Sequence, residues 1–141
     1  MKAKGIYLVP TRTAIYGEAE KMGETYPPQI VAKALAAAAS HGTMFRAALR
    51  LGVPIALGTD AGVFPHGLNA REFGLMADLG MSPAAALLAG TRDAAKLLGV
   101  DASVGTLESG KVADIVAVPG NVLSDIRVIA NSKLIRRAGN R

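Results

Sequence analysis

The chain has 141 residues, half of them hydrophobic and only 4% aromatic, so it fits one domain with a sizeable core rather than a disordered chain. Sixteen Lys and Arg against eleven Asp and Glu leave a net charge of +5. The positives are scattered apart from Lys133, Arg136, Arg137 and Arg141, and aromatics for stacking bases are scarce, so neither nucleic acid nor a membrane is expected as a partner. The absence of cysteine excludes disulfides, thiolate metal sites and a cysteine nucleophile, and makes the cytoplasm the default location.

The start, "MKAKGIYLVPTRT", has a basic tip and an apolar run that Pro10 and Arg12 break before signal-peptide length. Residues 5–9, "GIYLV", read as a buried strand closed by Pro10. Thr11 and Arg12 follow its end; they face a site, or they are a capping threonine and a surface arginine. Residues 12–27 are polar, with Gly17, Gly23 and the pair Pro27–Pro28, which predicts a loop with room for a short helix. Residues 28–51 have helical spacing, with Ile30, Ala34 and Ala38 in one row and Phe45 and Leu49 in another. Gly42 weakens the middle, and Gly52 is a natural stop. The alanine-rich "VAKALAAAAS" contains Lys33 and is too short to span a bilayer.

"VPIALGT" reads as a second buried strand. Asn69 with Glu72 three residues on resembles a capping box, opening a helix that stops at Gly80. Ser82 as N-cap with Pro83 at the first helical position opens the next helix. Thr91 caps a third, ended by Gly99. This strand–helix–strand–helix order implies an α/β chain with parallel strands. Beyond residue 101 the pattern changes. "VADIVAV" is β-rich, and "IRVIANSKLIRRAG" predicts two short strands around a turn at Asn131–Ser132.

The chemistry concentrates in "PIALGTDAGVFPHGLN", residues 54–69. In parallel α/β folds ligands bind beyond the carboxyl ends of strands, and Asp60 sits at such an end. A carboxylate there takes a proton from an activated water or ligates a metal. Equally, Asp-Ala-Gly is good turn chemistry. His66 touches a substrate or a metal, or is simply an exposed loop histidine; His41 falls inside the long helix. A catalytic zinc usually has three protein ligands. The chain offers two histidines and no cysteine, and has no H-x-H pair or H-E-x-x-H helix. It also lacks a G-x-S-x-G elbow, a P-loop and G-x-G-x-x-G.

Three stretches in order carry a resemblance: "GVPIALGTDAG", then "HGLNAREFGLMADLGMSPAAALLAGTRDAAKLLGV", then "VGTLESGKVADIVAVPGNVLSDI". Together they resemble the C-terminal part of the amidohydrolase superfamily, in particular its imidazolonepropionase-like and Xaa-Pro dipeptidase-like members. "YLVPT" at 7–11 is similar to that family's seventh barrel strand. The resemblance implies the last βα units, about strands seven and eight with their helices, of a (β/α)₈ barrel, plus C-terminal strands of a small β-sandwich. Residues 1–100 would be the barrel part and 101–141 the sandwich part. It implies a metal-dependent hydrolase of amide or other C–N bonds, with a divalent metal, zinc, as cofactor and a small amide or dipeptide-like substrate. Asp60 would be the metal ligand and proton shuttle, and His66 and Asn69 would lie in the loop over the substrate. A whole barrel needs about 250 residues, and the family's histidine pair, carboxylated lysine and later histidines have no counterparts here. The chain is therefore expected to be a C-terminal fragment without a complete site, the alternative being a non-catalytic binding or assembly module. Such a piece would expose apolar sheet surface, and it is expected to fold poorly alone or to form a homo-oligomer through that face.

Overall fold

The computed structural model describes residues 1–15, 26–112, 114–131 and 133–136. A 3₁₀ turn, Lys2–Lys4, leads into the first extended segment. Leu8 there pairs in parallel with Ile55 of the second extended segment. The Leu8 amide donates to the Pro54 carbonyl (2.9 Å), and the Ala56 amide donates to the Leu8 carbonyl (3.1 Å). The first predicted strand is not buried as expected: Ile6 and Val9 are exposed. The two predicted strands thus meet in parallel, but as one bridge and not a long ladder. The physical reason is in the sequence. The next rung would need an N–H from residue 10, which is proline. On the other segment, the Leu57 amide is taken by the Ala89 carbonyl (2.9 Å).

Residues 12–15 turn helically after the first segment. The rest of the predicted 12–27 loop, up to residue 25, lies outside the described residues. The helix α1, Pro28–Arg50, begins with a proline at its first position and ends where Gly52 takes φ 63°. Its inward face is Ala38, Gly42, Phe45 and Ala48, a three-and-four spacing. Ile30, expected on that face, is exposed, so only the second half of α1 packs inward. Gly42 is a contact point there: a Cβ on it would lie 3.4 Å from Leu79 Cδ2 and 3.8 Å from Arg12 Nη1.

Three short helices follow: α2, Arg71–Asp78; α3, Pro83–Ala89; and α4, Arg92–Leu97. Ser82 caps α3 as predicted, its hydroxyl accepting from the Ala85 amide at 3.2 Å. The Asn69–Glu72 capping box does not form. Ala70 is the cap residue of α2, no side chain caps it, and the Glu72 carboxylate points elsewhere. Thr91 likewise does not cap α4; its hydroxyl donates back to the Leu87 carbonyl at 2.8 Å.

The C-terminal part contains β1, Ile115–Ala117, antiparallel to β2, Lys133–Arg136. The predicted hairpin about Asn131–Ser132 is corrected: Ile126–Asn131 is a 3₁₀ helix, and β2 pairs with β1 instead. Asp125 explains the change, since its carboxylate accepts from the Arg127 amide at 3.0 Å and starts a tight turn. That turn buries Ile126 and lays the 3₁₀ helix on α2 and α3. The core is Phe45, Ile55, Met76, Leu79, Met81, Ala86, Ala89 and Ile126, joining α1, the second extended segment, α2, α3 and the 3₁₀ helix.

Candidate active site

The parallel bridge aligns the ends of the two extended segments. Counting from Leu8 and Ile55, Thr11 comes level with Gly58. The approach is close: a Cβ on residue 58 would collide with Val9 Cγ1 and lie 3.9 Å from Thr11 Cγ2. Glycine at 58 is what lets the segments run together. Just past these ends stand the two non-glycine residues with positive φ among the described residues, Thr11 at 44° and Asp60 at 54°. Aspartate tolerates this region. For a β-branched threonine it costs about 1 to 3 kcal/mol and needs surroundings that impose it.

Asp60 is exposed, and its carbonyl accepts from the Val63 amide at 3.3 Å as the loop turns over Gly62. His66 and Asn69 lie in the same loop and are also exposed. Among the described residues no hydrogen bond joins the side chains of Asp60, His66 and Asn69. Asn69 contributes its backbone: its carbonyl accepts from the Glu72 amide at 3.2 Å.

Behind this rim is a buried polar cluster that the sequence concealed. The Glu72 carboxylate, on the first turn of α2, has no exposed surface. One oxygen accepts from the Arg12 amide at 2.9 Å. The other accepts from the Thr13 amide at 2.7 Å and the Thr13 hydroxyl at 2.6 Å. Three donors on one carboxylate compensate its removal from water. Arg12 is not the surface arginine of the first expectation: its side chain is buried, and its guanidinium meets His41 Nδ1 of α1 at 3.0 Å. Burial, with the Arg12 charge second, holds His41 below the ordinary value of 6.5. A neutral ring accepts at Nδ1 from the arginine, which fits that direction. One signal for Glu72 was present in the sequence. It shares a helix face with Met76 and Leu79, four and seven residues on, so it lies on the apolar side of α2.

Asp60 has the donor chemistry of one metal ligand. Among the described residues no group of three or more His, Asp or Glu side chains could hold a metal ion.

The chain and its fold are matched by known proteins. The amidohydrolase family model matches residues 1–137, and the chain belongs to that family. It is 37% identical over 137 residues to the ochratoxinase of Aspergillus niger, covering 96% of this chain and 28% of that protein. It is 46% identical over 68 residues to the imidazolonepropionase of Aromatoleum aromaticum, covering 46% of this chain and 16% of that one. A crystal structure of a Xaa-Pro dipeptidase with methionine bound in its active site superposes with a TM-score of 0.82 at 42% identity. That match covers 91% of this chain and 32% of the dipeptidase. The chain thus spans about a third or less of the length of these relatives. The fold described above is shared with amidohydrolases over nearly the whole chain, and the family generally uses divalent metals.

Proposed function

We propose that this chain is the Asp60-bearing part of a metal-dependent amidohydrolase that cleaves amide or other C–N bonds in small, dipeptide-like substrates. The carrying observation is the family match over residues 1–137, with Asp60 just beyond the end of an extended segment paired in parallel with its neighbour. On this reading the extended segments are strands seven and eight of a (β/α)₈ barrel. Residues 1–100 belong to the barrel and 101–141 to a small sandwich. Ochratoxinase and a Xaa-Pro dipeptidase among the similar proteins favour an amide or dipeptide substrate.

Asp60 would be one residue that holds the metal, and its carboxylate takes up a proton at one oxygen and passes it to the leaving nitrogen. His66 and Asn69 line the loop over the substrate. A divalent metal, zinc in our reading, supplies Lewis-acid activation of the attacking water when bound. Its other ligands come from polypeptide outside the described residues, since Asp60 stands without two further donors among them.

The test is Asp60→Asn in the whole enzyme that contains this sequence, assayed on Xaa-Pro dipeptides and N-acyl amino acids. Turnover should fall by about 10³-fold, the scale of a lost proton-transfer group, with the circular dichroism unchanged. Wild-type turnover in that variant would sink the assignment. The second reading is a non-catalytic binding or assembly module, in keeping with the lack of a three-donor group among the described residues. The DNA upstream of Met1 separates the two. An in-frame H-x-H followed by barrel sequence supports the enzyme, whereas a promoter and ribosome site directly upstream support the module.

A further inference from the structure

Thr11 adopts a backbone that threonine avoids, so something must hold it there. The two residues that follow it are the ones Glu72 grips. Their amides and the Thr13 hydroxyl take both oxygens of one buried carboxylate, at 2.9, 2.7 and 2.6 Å. Glu72 belongs to the helix that begins directly after the 60–70 loop, so the grip joins the turn after one extended segment to the helix after the next. Arg12 adds a third anchor through His41 on α1, at 3.0 Å. Thr11 is thereby pinned level with Gly58, two residues before Asp60.

We propose that Glu72 is a positioning residue: its carboxylate locks residues 11–13 so that Thr11 and Asp60 form one rigid rim against which the substrate amide is held. This rests on the reading of Asp60 given above. The chemistry demands a carboxylate at 72. Each oxygen faces donors, so glutamine would turn an NH₂ towards an N–H or a hydroxyl, and aspartate would be one methylene short. Helix capping does not account for the residue, because no side chain caps α2.

Amide hydrogen exchange on the full chain tests the lock without any turnover. In Glu72→Gln the Arg12 and Thr13 amides should exchange about tenfold to a hundredfold faster, the scale of a lost charge-assisted bond, and the Thr11 resonances should shift. The Leu8 and Ala56 amides, which belong to the parallel bridge, should change little. Unaltered exchange at Arg12 and Thr13, or equal acceleration at Leu8 and Ala56, would overturn the proposal. Thr13→Val provides a reading if Glu72→Gln does not fold. It removes one donor, so it should accelerate the Arg12 amide and move the Thr11 resonances, and Thr13→Ser should restore both; no movement counts against the lock.

In the whole enzyme, with an amide substrate whose turnover depends on Asp60, Thr13→Val should lower kcat about tenfold, the scale of one misplaced group. KM should stay near its original value, and Thr13→Ser should recover kcat. An unchanged kcat would show that the lock does not serve catalysis. Turnover that survives Asp60→Asn overturns the Asp60 reading instead, and leaves the exchange results standing.

Discussion

Phe45, Met76 and Glu72 have no exposed surface, whereas Leu107 and Val116, in the C-terminal part, are 83% and 55% exposed. The first three are held by partners distant in sequence: Glu72 reaches back to Arg12 and Thr13, and Phe45 and Met76 share a core with Ile55 and Ala89. The side chains of the 106–111 turn instead bond to near neighbours. Thr106 Oγ1 donates to Glu108 at 2.9 Å, and Lys111 Nζ reaches Glu108 at 2.9 Å. Lys111 and Thr106 together hold the exposed Glu108 carboxyl below its usual range. Ile126 is buried in the core of the first region, with Val122 and Ile129 packed against it. Long-range packing gives the first region a rigid edge on which to place Asp60. Among the described residues of the second region, Leu107, Val112, Ile115, Val116 and Leu123 are exposed, an apolar surface of the kind that joins partners.

Truncation at the centre of the first region should do the most damage. Phe45→Ala should cost about 3 to 5 kcal/mol, seen as a lower urea midpoint, or no folded protein at all. Overpacking comes next. A Cβ at residue 90 would lie 2.5 Å from Phe73 Cζ, so Gly90→Ala should cost about 1 to 3 kcal/mol. A melt at the original temperature would mean that Phe73 moves aside freely. Ser82→Ala removes the hydroxyl that caps α3 and should cost about 1 kcal/mol, measured by the same urea titration.

The pH response sharpens the contrast, because His41 belongs to the buried cluster. Its folded pKa lies below the ordinary 6.5, so the unfolded chain binds the proton more readily. Stability should therefore be full above 6.5, fall as pH drops towards the lowered folded value, and level off below it. His41→Gln should flatten that part of the urea-midpoint profile, and an unchanged slope would remove His41 from the account. The smallest effect belongs to the exposed face. Leu107→Ser should alter stability by less than about 0.5 kcal/mol. If that face joins copies of the chain, as the exposed apolar surface suggested, light scattering should show the variant with a smaller mass than the wild type.

Helix positions were legible where local chemistry is decisive: Pro28 and Ser82–Pro83 at starts, Gly52 and Gly99 past ends, with positive φ at both glycines. Two extended segments in parallel were legible from their apolar runs, although they meet only at Leu8 and Ile55, and Pro10 already carried the reason for that brevity. The turn at 125–131 misled because Ile126 and Val128 alternate with Arg127 as a strand would, while the Asp125 side chain and the core favoured a 3₁₀ helix. The local pattern around Asp60 fitted a turn as well as a site, and it was the flanking motifs that pointed to the family, which the family match shows.

Glu72 is the instructive failure. Within its own helix it looked like half of a capping box, a reading that uses only three residues of separation. Its actual partners lie about 60 residues away. A carboxylate can serve a nearby amide or a distant one at similar energy, and nothing in the local pattern distinguishes them. Packing makes the choice. Once Met76 and Leu79 turn α2 towards the core, Glu72 is carried inside with them, and the amides of Arg12 and Thr13 are the donors waiting there. Local chemistry thus settles which elements form and which acid stands at the edge. Burial in three dimensions settles which second acid holds that edge in shape.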